Sequence, residues 1–560
     1  MGPPSPSEEE EESLEPTRDG PAACTFEQIL DAIGHFGAYQ KRVYLALCSL
    51  TVPSAWYTLS QVFLCALPDY HCKADEISLF PGITNMSEER LWNITVPQDS
   101  SRLGKYSWSE CHQYDIAQVT DPSLAPCLPD CFPEEWADPA SNNYSLVPCQ
   151  SWYYDKSVYF STVATEWDLV CERKWMRQLD TAFFMAGCLV GSSPLGWLSD
   201  RFGRRKVILL GSLLLSLLTL GTALSPGFEF FIATRFLVGL LSLGIFNVTY
   251  TLGMEFVGPT QKRVPGVLLT LSFILGHVLL TGLAYWVKGW RMIQLTVALV
   301  SMASVLCCWC VSAISRWKLN LLKTAEDGDA AITLIGSPSH KRWAEPASLS
   351  AQHPSSEEQK RTALDLLRKP NLRRNTVVLC INWFSICCAY YGLLLNTQNL
   401  AGNLYINFLL MGLCEVPAQV GLALLLDRIK RKSLLLASQL LGGGACLAAA
   451  CFAWHEMGWP TVGSCLAGQF LISSSFTCIL LYTVEILPTA VRSTGVGLCN
   501  TFGRLGCIAC PWVIFMADAW KPAPFVLFGT MATGASLLAL RLPETLGRKL
   551  PETLEDGEKL

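Results

Sequence analysis

The sequence predicts an all-α membrane protein: twelve transmembrane helices in two six-helix halves, with a large Cys-rich extracellular loop between helices 1 and 2. Three observations predict it. Apolar residues make up 51% of the 560-residue chain and charged residues only 16%, where a soluble domain carries about a quarter charged. Apolar runs of spanning length, roughly 20 residues, fall into two groups of six. Basic residues crowd alternate connections, while cysteines and glycosylation sequons crowd a single polar segment.

The elements follow in order. Residues 1–25 form an acidic, Pro-rich tail expected to be disordered. Its run Glu8 to Glu12 is the opposite of a basic signal-peptide start, so the first membrane helix must act as the insertion signal. The first half, 26–314, carries runs near 43–66, 178–198, 207–225, 229–251, 265–287 and 292–314. A linker, 315–374, is rich in Ser and in charges of both signs and reads as a solvated cytoplasmic loop. The second half, 375–545, carries runs near 376–396, 404–426, 433–453, 461–483, 494–516 and 524–541. Residues 546–560 form a tail.

The loop over 68–177 contains Cys72, Cys111, Cys127, Cys131, Cys149 and Cys171. An even set in a polar loop points to an oxidised framework outside the cytosol. Many pairings are open to six cysteines, and zinc at the close pair Cys127 and Cys131 is the rival reading. Asn85, Asn93 and Asn143 each begin an acceptor sequon in the same loop. Asn247 also matches but sits in an apolar run, where a chance match is expected. Most other cysteines lie inside apolar runs, where a thiol behaves as a small hydrophobe.

With the N-terminus inside, the connections on the cytoplasmic side hold Arg201, Arg204, Arg205 and Lys206, then Lys262 and Arg263, then Arg428, Lys430, Arg431 and Lys432, then Arg492. Outside connections such as Ser225 to Glu229 and Thr397 to Asn403 are nearly free of Lys and Arg. This is the positive-inside pattern. Both termini are therefore expected in the cytosol and the loop outside the cell, in the plasma membrane.

The halves repeat each other. Asp200-Arg201-Phe-Gly203-Arg204-Arg205-Lys206 follows the second run, and Asp427-Arg428-Ile-Lys430-Arg431-Lys432 follows the eighth. Tyr250-Thr251 precedes Glu255, and Tyr482-Thr483 precedes Glu485. Two parallel repeats with a site between them near the bilayer midplane is the architecture this implies. In the first basic cluster, Gly196 is expected where two helices approach closely, Asp200 supplies a carboxylate near a helix end, and Gly203 permits the turn. Such a cluster can latch the helix ends in one conformational state; the alternative is that the basic residues only anchor topology.

Gly196-Trp-Leu-Ser-Asp200-Arg201-Phe-Gly203-Arg204-Arg205 resembles the signature loop of the major facilitator superfamily. Further stretches narrow the resemblance to the organic cation, carnitine and organic anion transporter family. These are Asp31 to Gln40, Glu166-Trp-Asp-Leu-Val-Cys171 closing the loop, Glu415-Val-Pro417-Ala418, Tyr482 to Arg492, and Leu542-Pro-Glu-Thr545. The resemblance covers almost everything from residue 26 to about 555. The resemblance implies the major facilitator fold and alternating-access transport, facilitative or secondary-active, of small charged organic molecules. Two departures touch the expected gate: Ser312 to Lys318 keeps only an Arg-Trp core of the family sequence, and Lys430 replaces the turn glycine of the second loop. They leave a second reading open, a transporter-like receptor or scaffold that has lost transport.

Charged and polar residues inside spans are functional candidates, because burying them costs several kcal/mol unless they are paired. Arg504 stands where the resemblance places an arginine in members handling anions or zwitterions, and it could grip a carboxylate bidentately. The alternative is a structural pair with Glu415. Arg235, Glu255, Glu485 and Arg492, with Asp427, Arg428 and Arg431, read as structural or gating charges. His277 could titrate near neutral pH or serve as a packing residue. Trp383, Phe384, Tyr390 and Tyr391, with Asn396, could offer ring faces to an ammonium group or simply pack. An aromatic face together with Arg504 fits a carnitine-like zwitterion best. The expected partners are small organic ions and the lipid bilayer. No nucleotide loop, metal-protease helix or nucleophile elbow is present. No enzymatic chemistry, ATP hydrolysis, nucleic-acid partner, metal or cofactor is therefore expected, and the coupling ion, Na+ or H+, stays open.

Overall fold

The computed structural model describes residues 38–73, 92, 96–97, 108–115, 145–255, 263–326, 366, 368–426, 428–546, 551 and 553–559. Among them twelve long helices follow one another: α1 (Ala38–Leu59), α2 (Arg177–Phe202), α3 (Arg204–Ala223), α4 (Phe228–Glu255), α5 (Arg263–Val287), α6 (Trp290–Glu326), α7 (Pro370–Leu395), α8 (Leu404–Leu425), α9 (Arg431–Trp454), α10 (Gly458–Ile486), α11 (Arg492–Phe515) and α12 (Ala523–Ala539). The ten from α2 to α11 are long and apolar enough to cross a membrane. α12 is apolar but shorter, at 17 residues, and α1 has 22. Both pack into the same bundle.

Local chemistry sets several boundaries. Pro370 opens α7, where its missing N–H costs nothing and its fixed φ suits a helix start. Asn403 caps α8 by accepting from the Tyr405 and Ile406 N–H groups. Gly203 turns α2 into α3 at φ +92°, a conformation that suits glycine. The first apolar run is broken at Ser60, with α1 ending at Leu59 and a short helix, Gln61–Leu64, completing it. Two boundaries differ from the sequence reading. α6 runs on through Ser312–Lys318 to Glu326, and α7 starts at Pro370, so helix occupies both ends of the expected linker. Polar residues can extend a helix beyond an apolar span, and hydropathy does not register them.

Helix pairing repeats with an offset of six. α1 packs on α4, α5 and α6, as α7 packs on α10, α11 and α12. α2 packs on α4 as α8 packs on α10. α3 packs on α4 and α6 as α9 packs on α10 and α12. The halves then meet along two seams, α2 with α11 and α5 with α8, which the same exchange interconverts. The sequence repeat is thus a structural repeat. α7 is the most enclosed helix, with 83% of its spanning window buried.

Lipid tails give helices no hydrophobic reason to associate, so close contact depends on small residues. At Gly187, Gly191 and Gly239 an added Cβ would overlap the backbone across the α2–α4 crossing, and at Gly506 it would overlap Phe384 of α7. Gly196, expected at such a crossing, has nothing within 4 Å of an added Cβ. The close approach lies earlier on α2, at Gly187 and Gly191.

The loop before α2 contains two short antiparallel ladders, β1 (Tyr70–Cys72) with β4 (Trp152–Tyr154) and β2 (His112–Tyr114) with β3 (Leu146–Pro148). Disulfides Cys72–Cys149 and Cys111–Cys171 tie them together. His71, Trp92, Trp108 and Tyr153 stack into a small core. Cys127, Cys131, Asn85, Asn93, Asn143 and Asp427 lie outside the described residues, as does the Glu255 side chain. Asn247 is within helix α4.

Candidate functional site

Buried polar groups within the spanning helices gather on α7, α8, α10 and α11. Tyr390 Oη donates to Glu415 Oε1 at 2.9 Å, and Gln469 Nε2 donates to the same oxygen at 3.0 Å. Glu415 is 3% exposed and belongs to no ion pair among the described residues. The adjacent Tyr391 ring lies 5.1 Å from that of Tyr390, nearly perpendicular to it. Tyr391 is also a close electrostatic neighbour of Arg504, as are Cys387 and Cys507 within the half and Cys188 of α2 across the seam. Arg504 is buried, and its Nε has no hydrogen-bond partner among the described residues.

Arg504 and Glu415 therefore do not pair with each other; each is held by its own tyrosine. Buried ionisable groups without counter-ions cost several kcal/mol in a bilayer when charged. Glu415 was legible in the sequence as part of a family stretch and as a possible counter-ion for Arg504. Gln469 was not singled out at all.

Other candidates go elsewhere. The Trp383 indole N–H donates to Thr483 Oγ1 at 3.0 Å, and the ring packs beside Gly503 and Phe476, which ties α7 to α10 and α11. Asn396 accepts from Asn399 just past the end of α7. His277 sits in the α5–α8 seam, its ring 4.2 Å from that of Phe408, in space that a side chain at Gly412 would occupy. Arg235 is fully buried in an ion pair with Asp180, a partner the sequence reading missed. The signal was available, as Asp180 and Arg235 are opposite charges in the second and fourth apolar runs of one half.

The two ends of the bundle differ. At the end carrying the disulfide-linked loop, contacts join the halves. Lys174 Nζ lies 2.9 Å from Asp518 Oδ1, Gln398 Nε2 donates to Val62 O at 2.7 Å, and the Phe63 ring stacks on Tyr405 at 5.7 Å. At the opposite, basic end the ion pairs Asp200–Arg204 and Arg431–Glu485, both among the described residues, lie within single halves. Asp200 and Arg204 are 3.6 Å apart, and Arg201 lies over Trp197 and Phe202, with Arg205 following in the first turn of α3. Arg431 pairs with Glu485 at 3.3 Å, while its backbone N–H donates to Glu544. Arg492 donates to Leu487 O, and Arg428 is exposed in the turn before α9.

Residues 175–511 match the family model of the Major Facilitator Superfamily. The "Organic cation transporter protein" of Drosophila melanogaster is 30% identical, with 95% of this chain and 94% of that protein covered. "Solute carrier family 22 member 3" of Rattus norvegicus is 32% identical, with 96% of each covered. The chain belongs to the organic cation, carnitine and organic anion transporter family of the major facilitator superfamily. Among solved structures, an inward open conformation of the xylose transporter XylE from E. coli shares the fold. Its TM-score is 0.53 at 15% identity, over 70% of this chain and 91% of that one. Like its relatives, this family member is a multi-pass membrane transporter and not an enzyme.

Proposed function

We propose that the protein carries small organic zwitterions across the plasma membrane by alternating access, with Arg504 taking the substrate carboxylate and Glu415 its ammonium group. The observation that carries this reading is the pair of unneutralised, opposite buried charges joined through Tyr390 and Tyr391. A bidentate guanidinium contact suits a carboxylate, and the tyrosine faces suit an alkylammonium. α1 and α12 complete twelve spans, both termini face the cytosol, and the glycosylated loop faces outward. In that orientation the closed loop end, and the basic-end clusters that stay within single halves among the described residues, support a carrier open toward the cytosol. The Asp200–Arg204 and Arg431–Glu485 clusters act as its gating charges. The receptor reading loses support at Lys430, whose φ of −56° is ordinary for any residue, so the missing glycine imposes no strain there.

Uptake of labelled carnitine, tetraethylammonium and a simple dicarboxylate, normalised to surface protein, tests the proposal. Carnitine uptake should be saturable and lost in both Arg504→Ala and Glu415→Gln. Background carnitine uptake alongside clear dicarboxylate uptake would reject it, and background uptake of all three would favour the receptor.

A further inference from the structure

The last helix of the chain, Leu554–Lys559, lies away from the central site, against the start of α7. The Glu558 carboxylate accepts from the Asn371 N–H on one oxygen and from the Leu372 N–H on the other, each at 3.0 Å. Asn371 Nδ2 donates to Glu558 O at 3.1 Å. The first N–H groups of a helix have no intrahelical acceptor, and Lys369, at the cap position of α7, makes no side-chain cap bond. Glu558 thus supplies a cap that the local sequence lacks, and a negative charge is what a helix start favours. The Asn371 N–H chiefly, then the Leu372 N–H and the charges of Lys369 and Arg374, hold its carboxyl below the usual 4.5.

The same helix also reaches a second segment. Leu554 packs on Leu366, Leu372, Leu487 and Val491. The Thr489 N–H donates to Pro551 O at 3.0 Å. Gly557 passes so close to Pro488 that an added Cβ would sit 2.5 Å from its Cγ. The start of α7 and the 487–491 connection from α10 to α11 are therefore held by one short element. Its own fold is local, since Thr553 Oγ1 donates to Asp556 Oδ2 at 2.8 Å and accepts from the Asp556 N–H at 3.2 Å. Six residues are too few to hold a helix alone in water, so helix and docking form together.

We propose that Leu554–Lys559 is a strap that makes the basic ends of α7, α10 and α11 move as one body, with Glu558 as the positioning residue that fastens it. These three helices carry Tyr390 and Tyr391, Gln469, and Arg504 respectively. Alternating access rocks one half against the other around a fixed site, which requires the helices of a half to swing together. With the strap fastened, a shift at the basic end of one of the three is passed to the others. With it open, the start of α7 moves by itself. The effect on turnover rests on the carrier reading above; the contact does not.

Hydrogen exchange of the full-length protein in lipid nanodiscs tests the contact without a substrate. Glu558→Gln should lower the protection of the Asn371 and Leu372 amides by about two- to fivefold. The Thr489 amide should lose protection alongside them, because one helix covers both segments. Gly557→Val keeps the carboxylate but blocks docking at Pro488, and it should match Glu558→Gln. Glu558→Asp should keep most of the protection. In parallel uptake measurements, turnover per surface carrier should fall by about two- to fivefold in the Gln and Val variants, with KM unchanged, and return in Glu558→Asp. Unchanged exchange in both variants, loss at Asn371 and Leu372 with Thr489 unaffected, or a raised KM at unchanged turnover overturns the strap. Background uptake by the unaltered protein would sink the carrier reading separately, and the exchange result would then decide the strap by itself.

Discussion

Tyr390 donates its phenolic hydrogen bond to Glu415 at 2.9 Å, while Tyr391, its neighbour in sequence, faces Arg504. One dipeptide on α7 thus supports two opposite charges. A hydrogen bond to a charged group contributes about 1.5–3 kcal/mol. Tyr390→Phe should therefore raise KM for a cationic or zwitterionic substrate by about 10- to 100-fold. KM for a simple anion should stay as it is. Equal changes for both substrates would refute the assignment of Glu415 to the ammonium group.

Asp180 and Arg235 should behave as a structural pair. Removing one partner of a buried ion pair costs about 3–5 kcal/mol, while replacing both with apolar groups of similar volume is often tolerated. Asp180→Leu and Arg235→Met are each expected to lower the detergent melting temperature sharply and to cut surface expression. The double variant should recover most of both losses. If it is no better than the singles, the pair has a role beyond packing.

Glycine positions on α2 separate clearly. Gly191→Ala forces a Cβ into the Leu240 backbone of α4 and should destabilise by about 1–3 kcal/mol or more. Gly196→Ala meets nothing within 4 Å and should leave the melting temperature unchanged. Thermal melts of the two variants, side by side, settle the comparison.

The Lys174–Asp518 bridge joins the halves at the loop end, but its side chains are 22% and 43% exposed. Partly exposed pairs contribute about 0–1 kcal/mol, so Asp518→Ala should shift the balance of conformers by about fivefold at most. Turnover should change while the melting temperature does not. Exchanging the charges, Lys174→Asp with Asp518→Lys, should restore turnover.

His71 sits in the loop core with its pKa held below the usual 6.5, because burial disfavours the charged ring. A depressed folded value means that stability is fully present above pH 6.5 and is lost as pH falls through the folded value. Amide protection factors in β1 and β4, the exchange corrected for its intrinsic pH dependence, should therefore fall on acidification through this window. His71→Gln should flatten that dependence. Unaltered acid sensitivity in the variant would assign the effect to another group.

Much of the design was legible beforehand. The helix count and order, the internal repeat and the Gly203 turn came from hydropathy and motif, because a lipid-spanning helix must announce itself locally in its own apolar residues. Arg504 and Tyr390 stood out as polar groups in apolar runs. Their pairings did not. Glu415 looked like the counter-ion of Arg504, and Arg235 had no named partner, because intramembrane partners are chosen by helix rotation and crossing, which hydropathy does not record. Gly196 was misread for the same reason: sequence shows that a residue is small but not which helix faces it.

The sequence by itself determined the helical membrane character, the helix order, the repeat and the family, all of which are carried by residue type and local order. Only the tertiary structure decided which charged groups pair with each other and which do not. It also decided at which end the halves meet. Those outcomes depend on distances between segments far apart in the chain. A charge's free energy in low-dielectric surroundings is set by whatever lies within a few ångströms of it.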